Sequence, residues 1–414
     1  VFMEIEMSEL YELLINCLKK NKTVIETADL ASWSPKRWQD LLALSAMQRV
    51  TPLLWHRLKQ KGLDRLVPDD VASSFREASR RNTLHNLRLN GELRLLLSKL
   101  KAESIPLILL KGIVLSNTIY ENISLREMND IDVLARPEHL ERITDILVEM
   151  GYRPFQPICV DVAMQVGHHL PRLIKKEHAG FEIHWNLTEP GKLYHINPQG
   201  LWERAVPVQI AGCQTFTLSP EDMLLHLCLH TSYLHQFTFG LRPFYDIAET
   251  VDHSGSALDW QTVVGRAYDQ GWQRGVYLAL RLAVELADAS VPVDILEWFQ
   301  PANLSDNILA TARAQIFTDK SFATSIPVPF AQLLESRRLS DKIDIFFQRV
   351  FLPRAVIANA YSVPEDSLRI YGCYLRRFYD VLRRHGRTFK KFQKNDSAVK
   401  SLADRKKLIA DWMD

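Results

Sequence analysis

Residues 110–136 read LKGIVLSNTIYENISLREMNDIDVLAR, and this stretch decides the fold. It closes an apolar run, Ile105 to Leu110, of the kind that makes a buried strand. Lys111-Gly112 then opens a short helical segment, and a loop carrying Arg126 leads into a second strand, Ile131 to Ala135, headed by Asp130-Ile131-Asp132. Side chains alternate along a strand, so Asp130 and Asp132 share one face. Two adjacent carboxylates repel and raise one pKa unless a cation sits between them, and a hard divalent ion with oxygen ligands is the natural cation. Lysine and free N–H groups one strand away suit a phosphate. These parts together are what phosphoryl or nucleotidyl transfer needs.

Working outward, the residues before 105 repeat apolar side chains at helical spacing. Ser8 to Leu18 is one helix; Ser34-Pro35 caps and starts the next; Val50 to Lys59 and Asp69 to Leu100 continue the pattern. After the Asp-x-Asp strand, Pro137 to Met150 reads as a helix closed by Gly151. Tyr152 to Phe155, His169 to Lys175 and Gly180 to Leu187 are strand-like, Val160 to Gly167 is helix-like, and Val206 to Thr217 reads as a hairpin around Ala211-Gly212. Within FEIHWN, residues 181–186, Glu182, His184 and Asn186 lie on one face. Ser219-Pro220-Glu221-Asp222 has the cap, proline and acids of a helix start. Helices are expected over 221–235, 241–252, 259–270, 272–289, 291–299, 305–316, 330–349, 366–385 and 400–412, with Asp319 to Pro329 as a loop.

Lys111-Gly112, Arg126, Asp130-x-Asp132 and Glu182-x-His184-Trp185, in that order, resemble the DNA-polymerase-beta-like nucleotidyltransferase superfamily and, more closely, its family of uncharacterised nucleotidyltransferases. The resemblance covers Glu92 to Val251 well and the flanks loosely. It implies an α+β fold, with a small mixed sheet as nucleotidyltransferase core (105–217) between a helical N-terminal arm (1–104) and a helical C-terminal region (218–414). It also implies a two-metal transfer of a nucleoside monophosphate from an NTP, ATP being the expected donor, to an acceptor hydroxyl, with release of pyrophosphate. Asp130, Asp132 and Glu182 would hold Mg²⁺ or Mn²⁺, and Glu182 would help deprotonate the acceptor. Lys111, Gly112, Arg126, His184 and Arg242 would contact the nucleotide. His184 is either a partner of the carboxylates or a substrate contact. Lys111-Gly112 stands where the wider superfamily has Gly-Ser or Gly-Gly, which removes that serine's phosphate contact. The acceptor is open: a small molecule, a protein or RNA.

The remaining features narrow the field. The chain has 414 residues, formal net charge +2 and five scattered cysteines without Cys-x-x-Cys spacing. This speaks against a zinc ribbon and a disulfide scaffold and fits a reducing, cytoplasmic setting. Neither a membrane nor DNA is an expected partner. His226-x-x-x-His230 suits zinc by spacing, but no third ligand stands nearby, and packing beside the active-site strands is the expectation. Arg242 and Asp246, one turn apart, should pair with each other. Residues 376–394 carry eight Lys or Arg with interleaved aromatics, which as a solvated face is unremarkable and as a patch would suit an RNA-end-modifying enzyme. A non-catalytic nucleotide-binding module is the other rival. The cleft is expected between the sheet and helices 219–251, with the N-terminal arm around Arg80 to Arg94 as the alternative wall.

Overall fold

The computed structural model describes residues 2–20, 30–155, 160, 163–164, 167–176, 178, 180–188, 196–302, 304–318, 354, 357–358, 361, 363–364, 366–379 and 397–413. The helix expected at 330–349, the loop at 319–329, half of the helix-like stretch 160–167 and the basic stretch beyond Tyr379 lie outside these residues. The N-terminal arm is helical: α1 (Phe2–Leu18), α2 (Pro35–Met47), α3 (Thr51–Gln60) and the 34-residue α4 (Asp69–Ala102). Ser34 caps α2 as its sequence demands, its side chain accepting from the Arg37 amide, with Pro35 in the first turn.

Seven strands then form one mixed sheet: β1 (Ile108–Leu109), β2 (Asp130–Leu134), β3 (Arg153–Pro154), β4 (Leu173–Ile174), β5 (Gly180–His184), β6 (Val206–Ile210) and β7 (Cys213–Thr217), in spatial order β3-β4-β5-β2-β1-β7-β6. A helix, α5 (Lys111–Val114), runs into a π-helical turn, Leu115–Ile119, between β1 and β2. Helix α6 (Leu140–Glu149) follows β2, and α7 (Pro198–Glu203) follows β5. The C-terminal region holds α8 (Pro220–Leu229) with a second π-helical turn (His230–Leu234), then α9 (Arg242–Ser254), α10 (Trp260–Asp269), α11 (Gln273–Ala287), α12 (Val293–Phe299), α13 (Asp306–Ile316) and α14 (Ser397–Met413). The fold is therefore α+β, a mixed sheet between helical regions. One cluster of buried apolar side chains runs from Leu10 to Met413. No helix among the described residues is long and apolar enough to cross a membrane.

Three expected elements come out shorter, for local reasons. The apolar run 105–110 gives a strand only at Ile108–Leu109, because the Leu110 amide makes the last ladder bond, to the Asp132 carbonyl at 3.0 Å, and Lys111 turns the chain with φ +42°. The stretch 169–175 is a strand only at Leu173–Ile174, with an isolated bridge between His169 and His184. The helix expected over 221–235 is α-helical to Leu229 and π-helical beyond it.

The sheet has two differently covered faces. Tyr152 meets Phe181 edge-on at 5.1 Å and donates to Glu92 of α4 at 3.0 Å, which puts α4 on the face opposite Glu182. Helices α8 and α9 cover the face that bears the acidic side chains. From α4, two asparagines reach the loop before β2. Asn86 Nδ2 donates to the carbonyls of Ile123 at 2.6 Å and Arg126 at 2.9 Å, and Asn82 Nδ2 to that of Ser124 at 2.6 Å. These bonds replace the ladder partners a loop lacks and set where Arg126 enters the interior. Replacing fully buried Asn86 by Leu leaves those carbonyls short of donors. We expect a loss of about 2–3 kcal/mol of stability, read by urea unfolding, with faster amide exchange over 121–129.

Candidate active site

The parallel register of β2 against β5 sets Asp132 directly beside Glu182 and Leu134 beside His184. Strand alternation then puts Asp130, Asp132, Glu182 and His184 on one face. Asp132, Glu182 and His184 each offer a ligand atom within 4.8 Å of the others'. His184 Nε2 stands 3.2 Å from Asp132 Oδ1 and 3.9 Å from Glu182 Oε2, so of its two expected places, beside the carboxylates or at the substrate, His184 stands beside the carboxylates. Asp130 is outside that trio but lines the same cavity, with Arg172 Nη2 3.7 Å from its carboxylate. Lys111 Nζ donates to Asp132 Oδ1 at 3.2 Å.

The electrostatics are uneven. Burial works against ionised Asp132, but Lys111 and the hydrogen bond from His184 overcome it and hold its carboxyl well below the usual range. Asp130 and Glu182 move up, by burial first and then by the charge on Asp132. Lys111 stands against Asp132 and Arg172 against Asp130, which among the described residues leaves Glu182 without an adjacent cation, a charge that a divalent ion would supply. Two carboxylates and an imidazole held neutral, its pKa lowered by burial to about 4, make a donor set that fits such an ion.

Behind this trio lies a buried ion pair. Arg126 Nε and Nη2 donate to Asp246 Oδ1 and Oδ2, both at 2.8 Å, and the Tyr120 hydroxyl donates to Oδ1 at 2.9 Å. Arg126, expected at the nucleotide, lines the cavity with its Nε–Nη2 edge taken by Asp246. One sequence expectation changes here: Arg242 does not hydrogen-bond Asp246, whose carboxylate takes the Arg126 guanidinium and the Tyr120 phenol, and instead donates from Nη1 to the Glu127 carbonyl at 2.9 Å. Its Nε is buried without a hydrogen-bond partner, and the side chain lines the cavity. Gly112 matters for a further reason than phosphate approach: a Cβ there would stand 2.4 Å from Arg126 Nη1.

The cavity encloses about 260 Å³ between the sheet and α8–α9, and its wall also includes Arg49, Asn129, His230, His235, Phe239 and Asp246. Of the wall expected from 219–251, His230, Arg242 and Asp246 line it, and His226 is buried behind with both ring nitrogens unpartnered. The stretch Arg80 to Arg94 is not part of the wall. His226 and His230 lie 6.2 Å apart, ring to ring, and form no ligand group with a third residue among the described residues. Sequence reasoning missed Arg49 and Phe239. Arg49 and the segment before Phe239 owe their positions to left-handed backbone at non-glycine residues, which no spacing rule signals.

The model of a family described as uncharacterised nucleotidyltransferase matches residues 34–288, well over half of the chain. Among solved structures, a lincosamide antibiotic adenylyltransferase, LnuA, bound to lincomycin, is similar at 20% identity over 39% of this chain and 94% of that one, with a TM-score of 0.28. No curated protein sequence matches the chain.

Five buried or half-buried histidines here have lowered pKa values, burial being the main cause: His184 to about 4, His168 and His235 to about 3, and His226 and His230 well below normal. The unfolded chain binds these protons near pH 6.5 and the folded chain does not, so their contribution is full above pH 6.5 and declines as pH falls. Asp130 and Glu182, raised in the folded state, offset part of this. We expect stability to drop by several kcal/mol between pH 7 and pH 5, at about 1.4 kcal/mol per pH unit for each excluded proton. Urea midpoints across that range measure it, and His226→Leu flattens the slope.

Proposed function

The chain belongs to the uncharacterised nucleotidyltransferase family, and from that premise we propose that it moves a nucleoside monophosphate from an NTP to an acceptor hydroxyl and releases pyrophosphate. The observation that carries this reading is the convergence of Asp132, Glu182 and His184 within 4.8 Å, in a cavity that also holds Lys111, Arg49 and Arg242. Asp132 and Glu182, with His184 Nε2 as third donor, would hold Mg²⁺ or Mn²⁺, and Asp130 is the carboxylate nearby for a second ion. Such ions would offset charge on the attacking and leaving oxygens. Glu182, its pKa raised by burial and by Asp132, takes the acceptor's hydroxyl proton as the acceptor oxygen bonds to the α-phosphorus. The bond from that phosphorus to the bridging oxygen breaks, and pyrophosphate leaves with the electron pair. Lys111 lines the same cavity as Arg49 and Arg242, where its ammonium would bind the phosphates. Arg126 acts indirectly, keeping the wall in place through Asp246. ATP is the donor to test first, and the acceptor is a small molecule, a protein or RNA.

Labelled NTP with Mg²⁺ or Mn²⁺ and a cell extract tests the reading, by asking what becomes labelled. Glu182→Gln should lower transfer by about 10²–10⁴-fold with nucleotide binding retained; a variant as fast as wild type would overturn the base assignment. Lys111→Ala should weaken NTP binding by about 10- to 100-fold, the worth of a charged hydrogen bond. In the same variant the divalent ion, measured alone by calorimetry, should bind as well as or better than to wild type, because Asp132 has lost its competing ammonium. Unchanged nucleotide affinity would return Lys111 to a purely structural role.

A further inference from the structure

We propose that Phe239, His235 and His230 form a stacking shelf that takes the base of the bound nucleotide. The inference rests on the nucleotidyltransferase reading and adds a base subsite to it. Phe239 and His235 lie face to face, ring centres 3.7 Å apart and 21° from parallel. His230 meets His235 edge-on at 4.3 Å, and their Nε2 atoms are 3.1 Å apart. All three line the cavity that holds Lys111, Arg49, Arg242 and the carboxylates.

The shelf has the chemistry of a flat, uncharged ring and not of a phosphate. Burial keeps both imidazoles neutral, so neither attracts an anion. In a neutral pair bonded Nε2 to Nε2, one ring donates and the other accepts. The donating ring then has a lone pair on Nδ1, and the accepting ring carries its proton there. The pair therefore offers one donor and one acceptor beside the Phe239 face, as recognition of a heterocycle needs. A nucleotide brings a polyanion and a flat heterocycle in one molecule, matching a cavity whose wall holds both cations and aromatic rings.

The backbone is bent to make this shelf. Gln236 and Phe237 have φ of +44° and +62°, and Gly240 has +78°. Two consecutive non-glycine residues in the left-handed region cost stability and persist only where surroundings hold them. Here the Gln236 and Phe237 amides return to the carbonyls of Ser232 and Thr231, at 2.9 and 2.8 Å, and Gln236 Nε2 donates to the Lys406 carbonyl at 3.4 Å. Phe237 is buried to 1% exposure, whereas Phe239, two residues on, stays half-buried at the cavity. A core needing only apolar volume requires no such turn. The π-helical turn beneath it is held by Gly275, where a Cβ would run into the Tyr233 ring. Such turns are frequent at functional sites.

The test compares nucleotides with inorganic tripolyphosphate, which has the phosphates and no base. Calorimetry with Mg²⁺ present measures ATP, GTP, CTP, UTP and tripolyphosphate against the full chain and against Phe239→Leu and Phe239→Trp. We expect wild type to prefer at least one NTP over tripolyphosphate. Phe239→Leu should weaken that NTP by about 5- to 100-fold, the range for loss of a base–aromatic stack, and leave tripolyphosphate unchanged, which also shows that the variant is folded. Phe239→Trp should keep the preference, with its fluorescence quenched by the NTP and not by tripolyphosphate. Equal affinity of wild type for NTPs and tripolyphosphate, or an unchanged NTP affinity in Phe239→Leu, would overturn the shelf while leaving the transferase reading intact. Failure of wild type to bind any of the five would instead sink the transferase reading, and the shelf with it.

Discussion

The arrangement depends on a like-charge conflict built into the sheet. Pairing β2 with β5 in parallel register sets Asp132 beside Glu182, and strand alternation adds Asp130 to the same face. Crowding carboxylates in a half-buried site costs free energy unless cations balance them. Lys111 supplies one ammonium, against Asp132, and His184 adds a hydrogen bond. Asp130 and Glu182 hold their protons more tightly than usual, by burial first and then by the charge on Asp132. Burying these carboxylates together costs stability relative to a neutral core of equal volume.

Around that conflict the surroundings are held tightly. Arg126 and Asp246 form a bidentate pair deep in the protein, satisfied further by Tyr120, so neither charge is left orphaned. The pair joins the loop before β2 to helix α9, and the Arg242–Glu127 bond joins them a second time. Asn82 and Asn86 fix the loop from α4, on the other side of the sheet. The loop that delivers the Asp-x-Asp strand is thus tied to both helical regions, which gives the acidic face its fixed geometry.

Much of this was legible in the sequence. Asp130-x-Asp132 and Glu182-x-His184 announce their shared faces because period-2 alternation is a property of the backbone. Ser34-Pro35 and Ser219-Pro220 announce helix starts because the cap chemistry is local. Partner choice was not legible. Arg242 and Asp246, one helical turn apart, satisfy the local rule for an ion pair, yet a guanidinium 120 residues away in sequence takes the carboxylate, because it meets both carboxylate oxygens in a bidentate bond. Nor does any spacing rule mark Arg49, Gln236 or Phe237 as left-handed. Their conformation is set by tertiary bonds such as that from Gln236 to the Lys406 carbonyl, 170 residues on.

The long reach of those bonds bears on how the protein is made. Arg126 is separated from Asp246 by 120 residues, and Tyr120 from the same carboxylate by 126. At ribosomal speeds of about 5–20 residues per second, Arg126 is synthesised roughly 6–24 s before its counter-ion exists. Through that interval the sheet strands can pair, but the guanidinium has no carboxylate to accompany it into the interior, and the loop that aims the Asp-x-Asp strand stays open to solvent. Until α9 has been synthesised, Arg126 therefore lacks the carboxylate that accompanies it in the finished fold.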